Sequence, residues 1–205
     1  MTNTLEQYLP NNHGTETKKI GLYGGSFNPP HLGHALMILS VLMTQDLDEV
    51  WIIPCGEAPH KDKLEPFDMR MGMCENTFGH INNVHVIELE NHLPTPSYTV
   101  NTLETIKKLK PDYELFFIIG TDVVENVPEW KNTEGITDLA RFMVVPRQGY
   151  PLMTLPGELG NAKIVKMGIE LPELSSTLIR KFQKRGLGLD KFVEKNVAQT
   201  LKSDD

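Results

Sequence analysis

The chain has 205 residues, of which 40% are hydrophobic and 23% are charged, a composition that excludes collagenous, low-complexity and wholly disordered proteins. With 20 Lys and Arg against 27 Asp and Glu, its net charge of −7 disfavours a protein that coats nucleic acid. There are only two cysteines, no apolar leader and no apolar run approaching the roughly 18 residues of a membrane span. These features predict a cytoplasmic protein with no nucleic-acid or membrane partner.

Short apolar segments alternate with helix-like segments along the chain, which is typical of an α/β fold with a parallel sheet. Strands are predicted at 20–23, 49–53, 84–89, 114–119, 142–145 and 162–167. Helices are predicted at 32–43, 67–77, 98–109, 175–184 and 190–201. Residues 1–17 are predicted to form a polar, flexible extension, and residues 18–205 a single domain.

The chemically unusual residues concentrate in the segments that directly follow predicted strands. In an open parallel sheet, ligands bind outside the carboxyl ends of the strands, so these segments are expected to share one rim. The basic side chains that the rim would gather are His31, His34, Lys61, Lys63, Arg147 and Arg180. A local cationic group in an acidic protein predicts a polyphosphate ligand.

The richest segment is GGSFNPPHLGH at 24–34, immediately after the first strand. Its glycines let backbone N–H groups approach an anion, and its prolines stiffen the turn into the next helix. His31 and His34 lie three residues apart near the helix N-terminus, where both imidazoles can reach one phosphate. Taken alone, these residues leave two alternatives open: a tight turn with two surface histidines, and a zinc site without an evident third ligand.

A second segment, SSTLIR at 175–180, begins a predicted helix. Its hydroxyls are ordinary N-cap groups in any protein, whereas Arg180 could add a bidentate guanidinium to a phosphate at that helix N-terminus. Lys184, one turn later, is interpreted as a residue that stabilises the helix dipole.

Together these two segments resemble the paired motifs of the HxGH nucleotidyltransferase superfamily, in which the HxGH element binds ATP. Within it, the chain most resembles the bacterial nicotinate-nucleotide adenylyltransferase family, through residues 59–61, 98–103, 119–122, Trp130, and Arg147 with Gly149 and Tyr150. The resemblance covers about 19–197. It implies a Rossmann-like sheet flanked by helices, of nucleotidyltransferase type, with a small C-terminal helical part. The implied reaction is adenylyl transfer from ATP to nicotinate mononucleotide, giving deamido-NAD and pyrophosphate.

The resemblance also implies roles for individual residues. The implied catalytic residues are His31, His34, Lys61 and Arg180. The implied ATP-binding residues are Gly24, Gly25, Ser26, Phe27, His34, Arg147, Ser176, Thr177 and Arg180. The implied mononucleotide-binding residues are Ser26, His31, Lys61, Tyr98, Thr99, Asp122 and Trp130, with Trp130 stacking on the pyridine ring. Mg²⁺ is expected to be held mainly by substrate phosphates and water, so no dedicated protein metal site is predicted.

The most specific expectation concerns which molecule accepts the adenylyl group. A site that offers only donors, such as the Thr99 hydroxyl and backbone N–H groups in the loop before Trp130, would accept a carboxylate and reject an amide. The alternatives are an adenylyltransferase acting on nicotinamide mononucleotide or phosphopantetheine, and a module that binds ATP without turnover. A class I aminoacyl-tRNA synthetase fragment is disfavoured because no KMSKS-like segment is recognisable. A homo-oligomer is compatible with the sequence.

Overall fold

The computed structural model describes residues 4–11, 17–58, 64–152, 154–166 and 171–201. Six strands form its sheet: β1 (Lys19–Gly25), β2 (Glu49–Pro54), β3 (Val84–Val86), β4 (Glu114–Gly120), β5 (Arg141–Val145) and β6 (Lys163–Ile164). Every neighbouring pair is parallel, in the order β3-β2-β1-β4-β5-β6. The predicted α/β fold with a parallel sheet is therefore confirmed.

Six α-helices accompany the sheet in the described residues: α1 (Leu32–Thr44), α2 (Phe67–Phe78), α3 (Thr99–Leu109), α4 (Thr133–Leu139), α5 (Ser176–Lys184) and α6 (Lys195–Thr200). Short 3-10 turns occupy Thr4–Tyr8, Leu89–His92, Val124–Glu129 and Gly157–Leu159. None of these helices is long and apolar enough to cross a membrane.

The strands are continuously apolar because helices cover both faces of the sheet. Along β2, Trp51 and Ile53 belong to one hydrophobic cluster, which includes side chains of α3 and α4. Val50 and Ile52 belong to the cluster on the opposite face, which includes side chains of α1 and α2. A third, smaller cluster lies under α5 and α6 and forms the predicted C-terminal helical part.

Several predicted elements differ from the observed ones. The strands predicted at 84–89 and 162–167 are observed only as β3 and β6, the two edge strands, each of which has a single neighbour to bond to. The helix predicted at 190–201 is observed only at Lys195–Thr200, because a separate turn precedes it, in which the N–H groups of Phe192 and Val193 donate to Leu189 O. Helix α4 was not predicted: it has seven residues, and its sequence signal is the Asn132 N-cap, which accepts from Gly135 N–H at 3.2 Å.

The N-terminal segment contributes folded structure where a flexible extension was expected. Leu9 is buried, and Tyr8 stacks on His92 with 3.6 Å between ring centroids. Glu6 pairs with Lys110 at 2.7 Å. These contacts anchor residues 4–9 to the domain, while residues 12–16 lie outside the described part of the chain.

Candidate active site

A cleft of about 1120 Å³ opens at the carboxyl ends of β1 and β4, where the strand order reverses. This is the position at which open parallel sheets bind ligands. The predicted site residues that line it are Gly24, Gly25, Ser26, Phe27, His31, His34, Thr99, Asp122, Trp130, Arg147, Ser176, Thr177 and Arg180. The fold therefore brings residues from five separate loops into one cleft.

Of the two remaining predicted site residues, only Tyr98 belongs to the described part of the chain, and it is not among the residues that line the cleft. Lys61 lies outside the described residues. Tyr98 packs instead against the hydrophobic cluster beneath α3, and the Lys131 ammonium lies 4.1 Å from the centroid of its ring. The role of Tyr98 in a pyridine pocket therefore stays a prediction, with the Lys131 ammonium beside its ring.

His31 and His34 form a reciprocal cap at the start of α1. The backbone N–H of His31 donates to Nδ1 of His34 at 3.2 Å, and the N–H of His34 donates to Nδ1 of His31 at 3.4 Å. The two rings stack with 3.6 Å between their centroids. Since each Nδ1 accepts a hydrogen bond, the proton of each neutral ring is assigned to Nε2, where it can be donated to a phosphate oxygen.

His31 supplies this donor without a positive charge. It is only 2% exposed, and burial, reinforced by the nearby Arg147 guanidinium, lowers the pKa of His31 to about 3. In this geometry the His31 ring is neutral and does not add to the positive charge expected at the rim. A β-carbon at Gly33 would lie 3.1 Å from the His31 ring, which accounts for the glycine between the histidines.

The amide groups at the start of α1 are partly engaged by the protein itself. Leu32 N–H donates to Phe192 O at 2.8 Å, so the C-terminal helical part packs directly on this helix terminus. His34 N–H is used in the reciprocal cap. A phosphate bound here would consequently depend more on the two imidazoles than on the Leu32 and His34 amides.

The two sequence motifs are hydrogen-bonded to each other. Ser176 Oγ donates to Pro29 O at 2.8 Å, and the Arg180 guanidinium donates to Asn28 O. A second Arg180 nitrogen donates to Thr177 Oγ1 at 3.1 Å. Segments about 150 positions apart in sequence thus form one continuous wall of the cleft.

Asp122 and Arg147 form an ion pair at 2.6 Å between the loops that follow β4 and β5. Arg147 also donates to Leu174 O at 2.7 Å. Oδ1 of Asp122 is buried and has no hydrogen-bond partner among the described residues, so it can accept from a ligand hydroxyl. A β-carbon at Gly120 would lie 2.2 Å from this oxygen, which explains the glycine at the end of β4.

Trp130 lies at the other end of the cleft. Its ring packs edge-on against Phe117, with 5.9 Å between centroids. Its backbone N–H donates to Val127 O at 3.0 Å, within the 3-10 turn Val124–Glu129. The turn thus uses the Trp130 amide itself, and carboxylate binding by backbone N–H groups of the loop before Trp130 stays a prediction.

Sequence reasoning missed three charged residues near the site. Glu90 and Lys184 line the cleft, although Lys184 had been assigned to the helix dipole alone. Arg70 lies just behind the lining, 1% exposed, with its guanidinium bonded to Ser26 O at 3.0 Å. A signal for Arg70 was available, because it falls on the face of α2 that carries Cys74, where apolar residues are expected.

Comparison with known proteins agrees with this geometry. The Cytidylyltransferase-like family matches residues 22–182. A Myxococcus xanthus protein named "Probable nicotinate-nucleotide adenylyltransferase" is 37% identical over 169 residues, which are 82% of this chain and 83% of that protein. A Bacillus pumilus protein of the same name is 36% identical over 191 residues, which are 90% and 96% of the two chains. The chain belongs to the nicotinate-nucleotide adenylyltransferase family.

Solved structures extend this family assignment at the level of the fold. Plasmodium falciparum nicotinic acid mononucleotide adenylyltransferase complexed with NaAD matches with a TM-score of 0.73 and 22% identity. The same enzyme complexed with APC matches with a TM-score of 0.73 and 20% identity. Both comparisons cover 91% of this chain and 96% of the other. The family indicated by the two motifs is thus confirmed, with the nucleotidyltransferase fold it implies.

Proposed function

We propose that this protein transfers the adenylyl group of ATP to nicotinate mononucleotide, giving nicotinate adenine dinucleotide and pyrophosphate in NAD biosynthesis. The observation that carries the proposal is the joining of the 24–34 and 175–180 motifs into one wall of the cleft by Ser176 and Arg180. Curated relatives of the same family are named for this reaction. We place the reaction in the cytoplasm, whose reducing conditions suit the thiols of Cys55 and Cys74.

The chemistry requires positioning and charge stabilisation rather than a covalent enzyme intermediate. An oxygen of the mononucleotide phosphate attacks the α-phosphorus of ATP in line, and the bond from that phosphorus to the oxygen bridging the β-phosphorus breaks. The electron pair of that bond leaves with pyrophosphate. Nε2–H groups of His31 and His34, with the Arg180 guanidinium, stabilise the charge that develops on the phosphoryl oxygens.

We call the part of the cleft lined by His31, His34, Ser176 and Arg180 the phosphate end, and the part lined by Thr99, Asp122 and Trp130, where the acceptor is held, the acceptor end. Asp122 Oδ1 accepts a ribose hydroxyl, and Thr99 and Trp130 surround the pyridine ring. Lys131, next to Trp130 in the chain, places a cation beside Tyr98. This charge favours an acceptor that carries a carboxylate, as nicotinate does, over one that carries a neutral amide.

Mg²⁺ enters with ATP and neutralises part of its phosphate charge. In the described ranges, no group of three or more His, Cys, Asp and Glu residues is arranged to hold a metal ion. Lys61 remains a proposed phosphate contact on the strength of the family resemblance. We expect EDTA to abolish turnover and Mg²⁺ to restore it, whereas zinc that survives purification and is needed for turnover would contradict this assignment.

A coupled pyrophosphate-release assay tests the function directly. ATP is supplied with nicotinate mononucleotide, nicotinamide mononucleotide or phosphopantetheine in parallel, and mass spectrometry identifies the dinucleotide formed. We expect the highest kcat/KM with nicotinate mononucleotide. ATP binding without pyrophosphate release for any acceptor would favour the non-catalytic nucleotide-binding module.

A further inference from the structure

Arg70 is a buried arginine whose guanidinium bonds to backbone carbonyls of three separate segments. Nε donates to Glu65 O at 2.9 Å, Nη1 to Ser26 O at 3.0 Å and Nη2 to Gly56 O at 3.1 Å. Its side chain extends from α2, and the residue is 1% exposed. Burial of a guanidinium is costly unless its donors are satisfied, so these bonds strongly constrain the three segments.

One of the three segments belongs to the phosphate end of the cleft. Ser26 lies in the 24–34 motif and lines the cleft. Its carbonyl is held by Arg70, while Cys55 N–H donates to the neighbouring Gly25 O at 2.8 Å. The loop that follows β1 is therefore tied to the loop that follows β2.

The loop that follows β2 is tied in turn to the acceptor end. Ser97 N–H donates to Glu57 O at 2.8 Å, and Glu57 N–H donates to Ser97 Oγ at 3.2 Å. Ser97 lies two residues before Thr99, the first residue of α3. A continuous path of hydrogen bonds thus runs from the phosphate end through Arg70 to the acceptor end.

Gly56, at the centre of this path, has no room for a side chain. A β-carbon there would lie 2.8 Å from Glu90 O and 3.0 Å from Ser97 Oγ. The Gly56 backbone therefore lies in close contact with the segment 90–97, while its carbonyl is bonded to Arg70. Glu90, which is 8% exposed, lies in this region. Burial raises the pKa of Glu90, and attraction to Arg70 offsets part of that rise.

We propose that Arg70 is a positioning residue for adenylyl transfer, holding the Ser26 loop and the Gly56 loop at a fixed separation. Through these loops it aligns the α-phosphate of ATP with the phosphate of the acceptor. A planar guanidinium satisfies three carbonyls that lie in different directions, whereas a lysine ammonium at the end of a flexible stem cannot reproduce that geometry. This inference rests on the function proposed above.

Three variants test the proposal. Arg70→Lys keeps the positive charge but removes the planar guanidinium with its several donors. Gly56→Ala displaces the same loop from the segment 90–97 without changing Arg70. Arg141→Lys is the matched control, because Arg141 is exposed and donates to the single carbonyl of Asn161 at 2.8 Å. We expect both test variants to lower kcat about 10²-fold, the loss associated with a small misplacement of reacting groups. The KM values for ATP and for nicotinate mononucleotide should each change by less than about threefold, since binding contacts remain.

The folded fraction of each variant at the assay temperature is measured by urea unfolding, and kcat is expressed per folded molecule. A loss of kcat that remains after this correction in both variants, with the Arg141→Lys variant unchanged, supports the positioning role. A kcat per folded molecule within about threefold of wild type in either variant overturns it, because the geometry would then tolerate the change. The wild-type enzyme tests the function separately: failure to form any dinucleotide would defeat the proposed reaction itself.

Discussion

The phosphate end and the acceptor end of the cleft are built in different ways. The phosphate end consists of two short motifs whose residues cap, stack on and bond to one another, as His31 does with His34 and Ser176 with Pro29. The acceptor end is assembled from several loops, and part of its chemistry is used by the fold itself, as the backbone N–H of Trp130 shows. Each motif of the phosphate end can be recognised from a few consecutive residues, whereas the acceptor end has no comparable local pattern in the sequence.

The two ends also differ in charge. His31, buried at the phosphate end, remains neutral, and the cationic contribution there comes from Arg180, since Arg147 is paired with Asp122. Glu90 lines the cleft, and Lys131 places its ammonium over the ring of Tyr98 next to Thr99. The phosphate end is thus suited to stabilising a charged transition state, and the acceptor end to discriminating between acceptors.

The largest expected loss of turnover comes from removing a donor at the phosphate end. His34→Ala and Arg180→Ala should each reduce turnover by about 10²-fold or more, because each removes a preorganised donor to the phosphoryl group. Lys181→Ala is the control, since Lys181 is exposed on the same helix and is not among the residues lining the cleft. Steady-state kinetics with circular dichroism checks the result, and near-normal rates in both folded variants would show that the clamp assignment is wrong.

Acceptor choice probes the other end. We expect kcat/KM for nicotinate mononucleotide to exceed that for nicotinamide mononucleotide by about 10²-fold or more at matched ATP. Lys131→Met should reduce this ratio by several-fold, which is roughly the effect on affinity of losing one partly screened charge. Lys131→Arg should preserve it, and an equal or greater kcat/KM for the amide in the wild type would move the assignment to a nicotinamide-nucleotide enzyme.

Stability against pH tests the neutral His31. Because its pKa is lowered to about 3 in the folded state, the unfolded chain binds a proton below pH 6.5 that the folded chain does not. The free energy of unfolding should therefore fall by about 2 kcal/mol between pH 7.5 and pH 5 from this residue alone. His31→Asn, which keeps an N-cap acceptor, should remove that part of the dependence. In nuclear magnetic resonance, a His31 ring signal titrating near pH 6.5 would contradict the burial argument.

Glu90 should show an effect of opposite sign. Burial raises the pKa of Glu90, so the folded protein holds this proton more tightly than the unfolded chain, and stability falls as pH rises above 4.5. Glu90→Gln keeps an acceptor for the Thr102 hydroxyl, which donates to Glu90 Oε1 at 2.7 Å. Urea unfolding should show the variant to be more stable than wild type at pH 7.5, with the difference shrinking toward pH 4. A difference that grows toward low pH would overturn this sign.

The fold and the phosphate end were largely predictable from sequence. Apolar segments located all six strands, since strands covered on both faces need continuous apolar residues. The motifs at 24–34 and 175–180 located the cleft, since the carboxyl ends of parallel strands share one rim. Short elements such as α4 were missed, because a seven-residue helix presents less than two full turns of periodicity.

The sequence by itself determined the family, the order of the strands, and the residue types expected to contact phosphate, because these depend on local patterns along the chain. Only the tertiary structure decided which of those groups remain available to a ligand. Arg147 pairs with Asp122, Leu32 N–H bonds to Phe192 O, and Arg70 holds the Ser26 loop from behind. Each of these contacts joins residues at least 25 positions apart. Charge state and hydrogen-bond availability depend on burial and on partners, and both are set by packing between distant segments.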